Sequence, residues 1–261
     1  MALQSPPKPA AAELPATALY CYGITAVTAA KAQPGAGLGG EAVGTVRCGE
    51  LAALVSGVPP GTVRARRRDL MTHFDVLGEA FEHGTVLPLR FGIVFDDGRT
   101  LVDEFLCPRH DELARLLREL EGLVELRVTA HYREDAILGE AVRENPRIGR
   151  LREATRGRAA GHPVMLELGE LVSAEVQART ARDARALLER LRPLVRRYEL
   201  DEEPIAYQLL RASFLVERKR VKTFDRALEK FASENPGRVD VKLVGPLPPH
   251  SFVELSHGGR R

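Results

Sequence analysis

The sequence predicts an α+β protein in two domains, and three observations carry that prediction. Its 261 residues are long for one core and natural for two domains of roughly 100 to 150 residues each. Strand-like segments occur in both halves, most cleanly at residues 123–132. Stretches whose apolar residues recur at helical spacing lie between them. The division falls near Glu121, giving an N-terminal α/β domain over 18–121 and a C-terminal domain over 122–255. Disordered tails are expected at 1–17 and 256–261.

Residues 1–16 are rich in Ala and Pro and contain no continuous apolar run of signal-peptide length. Residues 19–24, 43–48 and 51–55 read as strands, the last two joined by a tight turn at Gly49-Glu50. Residues 31–40 form a Gly-rich loop expected to be mobile. It lacks the strand-to-helix setting of a phosphate-binding loop, so its glycines say little about nucleotides. A helix follows, with Thr62 as N-cap and Gly84 as its stop. Val63, Leu70, Phe74, Leu77 and Phe81 recur on one face and are expected to pack on the sheet.

Residues 86–95 alternate throughout. Leu87, Leu89, Phe91, Ile93 and Phe95 form a core strip, while Pro88, Arg90 and Gly92 share the other face with Val86 and Val94. Pro88 implies that the strand begins, or runs along a sheet edge, near residue 88. Arg90 stands between a residue without a backbone N–H and one without a side chain, so nothing bulky in its own strand covers it.

The chain turns at Asp97-Gly98 into a short helix. A second helix follows, with Pro108 in its first turn and an apolar stripe of Leu113, Leu116, Leu117 and Leu120; Gly122 ends it. In the next strand Val124, Leu126, Val128, Ala130 and Tyr132 alternate with Glu125, Arg127, Thr129 and His131. Helical structure is predicted from Arg133 to about Leu200, broken near Pro146 and at 157–163, with Pro193 kinking its last part. Arg179, Arg182, Arg190 and Arg197 read as a solvated, salt-bridged helix surface because acidic residues interleave with them. Residues 212–218 are extended, Val221, Phe224, Leu228 and Phe231 lie along a helix, and Val239, Val241 and Leu243 alternate again. That order is a ferredoxin-like split βαβ with a long helical insertion as its first crossover. Pro246, Pro248 and Pro249 forbid a regular ladder and favour a polyproline-like tail, which Phe252 anchors against the second domain.

Lysine plus arginine (38) nearly balance aspartate plus glutamate (36), so charge supports neither nucleic acid nor an anionic membrane as partner. Aromatics are 5% and tryptophan is absent, against a stacking platform for single strands. No apolar run reaches membrane-spanning length. Cys21, Cys48 and Cys107 are odd in number, far apart and without a Cys-x-x-Cys pair, which argues for reduced thiols and against a disulfide framework or zinc site. His73, one turn after Asp69, reads as half of a surface Asp-His pair. His83 suits a helix C-terminus and His131 a polar strand face. Cys107 precedes a helix start, where a thiolate is favoured, but its neighbours are ordinary first-turn residues. No hydrolase elbow, zinc-protease or Walker motif occurs. The expectation is a protein with no catalytic residue, metal or cofactor.

Two segments carry a resemblance. Leu-Pro-Leu-Arg-Phe-Gly at 87–92 and Gly-Pro-Leu-Pro-Pro-His-Ser-Phe at 245–252 resemble the two signatures of the GvpL/GvpF gas vesicle family. The opening Leu19-Tyr20-Cys21-Tyr22-Gly23-Ile24 and the order of elements are also similar, so the match runs from about residue 19 to 255. His250 stands where the family usually shows tyrosine, and the first sixteen residues have no counterpart. The resemblance implies a cytoplasmic, gas vesicle associated accessory or minor structural protein needed for vesicle assembly. Its implied partners are the hydrophobic shell subunit GvpA and other gas vesicle proteins, with no nucleic acid or membrane. The partner-binding residues it points to are Leu87, Pro88, Arg90, Phe91, Gly92, Pro246, Pro248, Pro249 and Phe252. An alternative from another class is a ligand-sensing or nucleic-acid-binding module on the ferredoxin-like sheet. That module needs exposed aromatics where the first strand supplies Glu125, Arg127, Thr129 and His131.

Overall fold

The computed structural model describes residues 18–30, 35–59, 63–156, 162–201, 205–253 and 255. It groups residues up to Glu125 with those from Pro246 onward as one compact unit, and Leu126–Gly245 as another. The Pro-rich tail therefore belongs to the first unit, not to the ferredoxin-like one where its sequence position had put it.

In the first unit β1 (Leu19–Ala26) lies inside a sheet of order β2-β3-β1-β4, with β2 Gly44–Cys48, β3 Leu51–Gly57 and β4 Val86–Pro88; β5 (Val94–Phe95) also pairs with β1. Residues 19–25 of β1 are all buried, as expected of a strand paired on both edges and covered on both faces. At Gly23 an added Cβ would meet the Leu87 carbonyl oxygen at 2.7 Å and the Leu77 side chain at 2.9 Å, so only glycine allows this approach. Pro88 sits opposite Gly23 on the edge strand, where a missing N–H costs no ladder bond.

Residues 86–95 are not one strand. β4 stops at Pro88, Gly92 turns the chain with φ +98°, and β5 resumes at Val94. Leu87, Leu89 and Phe95 are buried as expected, but so are Val86 and Pro88, while Phe91 and Ile93 are only half-buried. Covering on both sides of β4 replaces the simple in-out alternation.

Helix α1 spans Arg67–His83 and buries His73, Val76, Leu77, Ala80 and Phe81. Its buried face thus runs i, i+3, i+4, i+7, i+8 from a histidine. Phe74, expected in that stripe, is 46% exposed. The helix starts from Arg66 without a side-chain cap, and Thr62 lies outside the described residues. Of the loop at 31–40, the first four residues also lie outside them. The remainder is docked: Ala36 bridges Ala42, Leu38 is buried, and its N–H donates to Tyr22 Oη at 2.8 Å. A short helix α2 (Gly98–Thr100), N-capped by the Asp97 carboxylate, continues as a π-helix over Leu101–Leu106, and α3 covers His110–Glu119. Cys48 and Cys107 form a disulfide, which corrects the expectation of three reduced thiols and removes Cys107 as a thiolate. Cys21 is free and buried, and burial pushes its thiol up to about 12.

Strand β6 (Leu123–Tyr132) keeps its alternation. The helical insertion is α4 (Glu134–Glu144), α5 (Pro146–Thr155) and the 30-residue α6 (His162–Leu191). Asn145 caps α5 by accepting from the Arg147 and Ile148 N–H groups, with Pro146 at the first helical position, as the first turn prefers. Helix does not continue to Leu200. After the 3-10 turn Arg192–Leu194, where Pro193 ends α6, the chain becomes β7 (Arg197–Leu200) and pairs antiparallel with β8 (Gln208–Glu217). Helix α7 (Val221–Glu234) and β9 (Val239–Leu247) complete a sheet of order β7-β8-β6-β9, the ferredoxin-like arrangement. β9 runs through Pro246, which the edge position tolerates.

Arg179 is not a solvated arginine. It is 4% exposed and bridges Glu140, Glu144 and Glu175 at 3.5, 3.0 and 2.8 Å. Glu140 also binds Arg238 at 2.7 Å, so the insertion is tied to the second crossover by a shared carboxylate. Arg182, Arg190 and Arg197 do form surface ion pairs, with Asp183, Glu234 and Glu199.

Candidate functional site

Two buried phenols on β1 organise the first unit. Tyr20 and Tyr22 share a face of the strand by period two, and the His73 ring lies against both. Its Nδ1 is 2.8 Å from Tyr20 Oη, and its ring stacks on Tyr22 at 5.7 Å and 27°. Tyr20 Oη also accepts the Gly92 N–H at 3.2 Å. Tyr22 Oη meets Ser56 Oγ at 2.8 Å as well as the Leu38 N–H. These contacts fit the tautomer in which His73 Nδ1 accepts from the Tyr20 hydroxyl.

Burial, with a smaller push from His250, holds the His73 imidazole down to about 4, while a backbone hydrogen bond at Leu89 works the other way. His73 is therefore neutral at pH 7 and buried, not a surface partner of Asp69. Burial likewise raises both phenols, Tyr20 well above its ordinary range. A neutral histidine accepting from an unionised tyrosine leaves both buried polar groups hydrogen-bonded.

The two signature segments, more than 150 residues apart in sequence, both arrive at this cluster. Phe91 packs its ring on His73 and Tyr20, each at 5.7 Å. Pro248 and Pro249 are buried. They lead into a 3-10 turn, His250–Phe252, whose His250 ring meets Phe74 edge-on at 5.3 Å. Ser251 then donates from N–H and Oγ to the Glu125 carboxylate at 2.7 and 2.9 Å. Glu125 is fully buried, so it is not part of an open polar face. Phe252, Val253 and Leu255 are buried beyond it.

The expected partner-binding residues thus divide. Leu87, Pro88, Pro248, Pro249 and Phe252 lie inside the first unit, whereas Arg90, Gly92 and Pro246 are exposed and Phe91 is half-buried. Arg90 forms no ion pair among the described residues. The residues sequence reasoning missed are Met71, 53% exposed, and Phe74. One helical turn apart on α1, they leave apolar surface exposed, with the His250 ring against Phe74. The missed signal was the stripe itself: anchoring it on His73 gives consistent helical spacing and leaves Phe74 outside.

Chemistry elsewhere is sparse. Among the described residues no cluster of His, Cys, Asp or Glu has metal-binding geometry, and no helix is long and apolar enough to cross a membrane. His83 is exposed and His131 half-buried, on separate elements. A groove of about 700 Å³ in the second unit is lined by Leu138, Val172, Val176 and Ile205, with Asp201 as its carboxylate. That carboxylate is paired with Arg211 at 3.0 Å.

A family profile described as gas vesicle synthesis protein GvpL/GvpF matches residues 18–254. A gas vesicle protein F from a Streptomyces species is 41% identical over 207 residues, covering 79% of this chain and 85% of the relative. A gas vesicle protein L from the same source is 29% identical, covering 91% and 93%. The crystal structure of gas vesicle protein GvpF from an Anabaena species is similar with a TM-score of 0.79 at 24% identity, over 92% of this chain and all of that one. GvpF from Microcystis aeruginosa gives a TM-score of 0.73 at 22% identity over the same share.

Proposed function

The chain belongs to the GvpL/GvpF family of gas vesicle synthesis proteins, and from that premise we infer that it is an assembly accessory that binds the hydrophobic shell subunit GvpA. It acts in the cytoplasm, together with other gas vesicle proteins, and has no turnover chemistry of its own. A subunit whose apolar faces will line a gas-filled shell must be shielded before insertion, because exposed apolar patches associate without specificity.

One observation supports this reading above the rest. Phe74 stays exposed on α1 with the His250 ring against it, Met71 is exposed one helical turn before it, and Phe91, next to the exposed Arg90, packs on the adjacent His73. An apolar centre with a cationic rim is the composition of a protein-binding patch. Leu87, Pro88, Pro248, Pro249 and Phe252 serve it from beneath by fixing the turn and the tail.

The test is a binding titration of GvpA against wild type, Met71→Glu, Phe74→Asp and Arg90→Ala, each checked for an unchanged melting temperature. Burying a phenylalanine is worth about 1.5 to 3 kcal/mol, so Phe74→Asp should weaken binding by at least roughly tenfold. Full-strength binding by folded Phe74→Asp and Met71→Glu variants would rule this surface out. No binding by wild type to any protein of its gene cluster would rule out the function.

A further inference from the structure

A second surface, in the ferredoxin-like unit, has a form that points to a specific partner. Strand β7 is the outermost strand of its sheet, and all four of its residues, Arg197, Tyr198, Glu199 and Leu200, are exposed. An uncovered edge presents unpaired backbone donors and acceptors, which proteins commonly blunt with lysine, proline or a bulge. β7 has no lysine or proline; it is guarded only by its shortness and by the charges of Arg197 and Glu199.

The register with β8 sorts the side chains. Tyr198 and Leu200 stand opposite Phe214 and Ala212, and Tyr198 packs against the Phe214 ring at 6.0 Å. They continue the buried apolar layer out to the rim, where they remain 39% and 47% exposed. Arg197 and Glu199 project to the other face, paired with each other along the strand at 3.0 Å.

We propose that β7 pairs antiparallel with β7 of a second copy of this chain, about a twofold axis at Tyr198, joining two four-stranded sheets into one. The charge pattern selects this occupant. Reading Arg-Tyr-Glu backward places Arg197 of each copy opposite Glu199 of the other, so two cross-strand ion pairs form, and Tyr198 faces Tyr198. Parallel in-register pairing would instead set like charges opposite each other, which is destabilising. The twofold arrangement makes the interface self-complementary and closed, so it ends at a dimer and does not propagate into a fibre. A four-residue edge buries little area by the standard of permanent dimers, so the dimer is reversible.

Sedimentation velocity of the full chain, over a concentration series reaching the millimolar range, reads the association. Wild type should dimerise reversibly. Arg197→Glu alone and Glu199→Arg alone each set like charges opposite and should weaken the dimer by about tenfold. The double variant Arg197→Glu/Glu199→Arg restores opposite charges across the axis and should recover it. Circular dichroism confirms that each variant is folded. A wild type that stays monomeric throughout, single variants that dimerise as well as wild type, or a double variant no better than the singles would each overturn the pairing. Protection of β7 amides only when another gas vesicle protein is added would assign the edge to that protein instead, and would equally overturn it.

Discussion

The Cys48–Cys107 disulfide gives the sharpest quantitative prediction. It joins the end of β2 to the segment after the π-helix, across a sequence separation of 59 residues. In the chain-entropy treatment a closed loop of that size removes about 14 cal/mol/K from the unfolded ensemble, or about 4 kcal/mol at 25 °C. Residual structure in the reduced, unfolded chain lowers the measured figure below this. At roughly 3 to 4 °C per kcal/mol for a unit of this size, reduction should cost on the order of 10 to 15 °C in Tm. Differential scanning calorimetry with and without dithiothreitol measures the shift. If the two units melt separately, only the transition of the first unit should move. Thiol titration in denaturant supplies the independent count: one reactive thiol, Cys21, before reduction and three after. Cys48→Ser/Cys107→Ser should reproduce the reduced melting temperature and become insensitive to reductant. Three thiols without reductant, or a Tm that ignores reduction, would refute the reasoning.

Other expectations concern the first unit. The folded pKa of His73 lies near 4 against 6.5 for the free side chain. The unfolded chain therefore binds the extra proton between those values, and stability present above pH 6.5 is lost as pH falls toward 4. The effect should be on the order of 3 kcal/mol, and urea titrations of wild type and His73→Gln at several pH values should show a flatter profile in the variant. Phe252→Ala should cost about 3 to 5 kcal/mol, since the ring is buried; equal urea midpoints would mean that the tail does not support the fold. Gly23→Ala should destabilise by roughly 1 to 3 kcal/mol because its Cβ collides with the Leu87 carbonyl, and a neutral result would show that β4 gives way.

What could be read from the chain, and what could not, follows the range of the forces involved. β6 was legible because polar and apolar residues alternate in sequence from Val124 to Tyr132, although Glu125 is buried. Pro88 pointed to a sheet edge or a strand start, because a missing N–H has a consequence wherever it sits; it is on the edge strand, but at that strand's end. β7 was not legible: Leu187, Leu191, Leu194 and Tyr198 keep a near-helical spacing across Pro193, and four residues are too short for a period of two to compete. The alternation at 86–95 was real but misleading, since the positive φ at Gly92 is invisible to a hydrophobic pattern. His73 and the disulfide were missed for a shared reason. Their partners, Tyr20 and Cys48, lie 53 and 59 residues away, and no local rule reports a contact across that distance. For the candidate surface, the two signature segments were legible, but Met71 and Phe74 became conspicuous only once the helix had chosen its buried face.

The first unit is built from both ends of the chain, with the second unit inserted between Glu125 and Pro246. Synthesis runs in one direction, so β1, α1 and Glu125 emerge from the ribosome well before the residues that finish their packing. Phe252, Val253 and Leu255 follow only after the inserted unit, and Ser251, which donates twice to Glu125, arrives with them. The α1 surface, where His250 meets Phe74, is thus assembled from segments that the whole inserted unit separates in sequence, and it forms only once that unit has been synthesised.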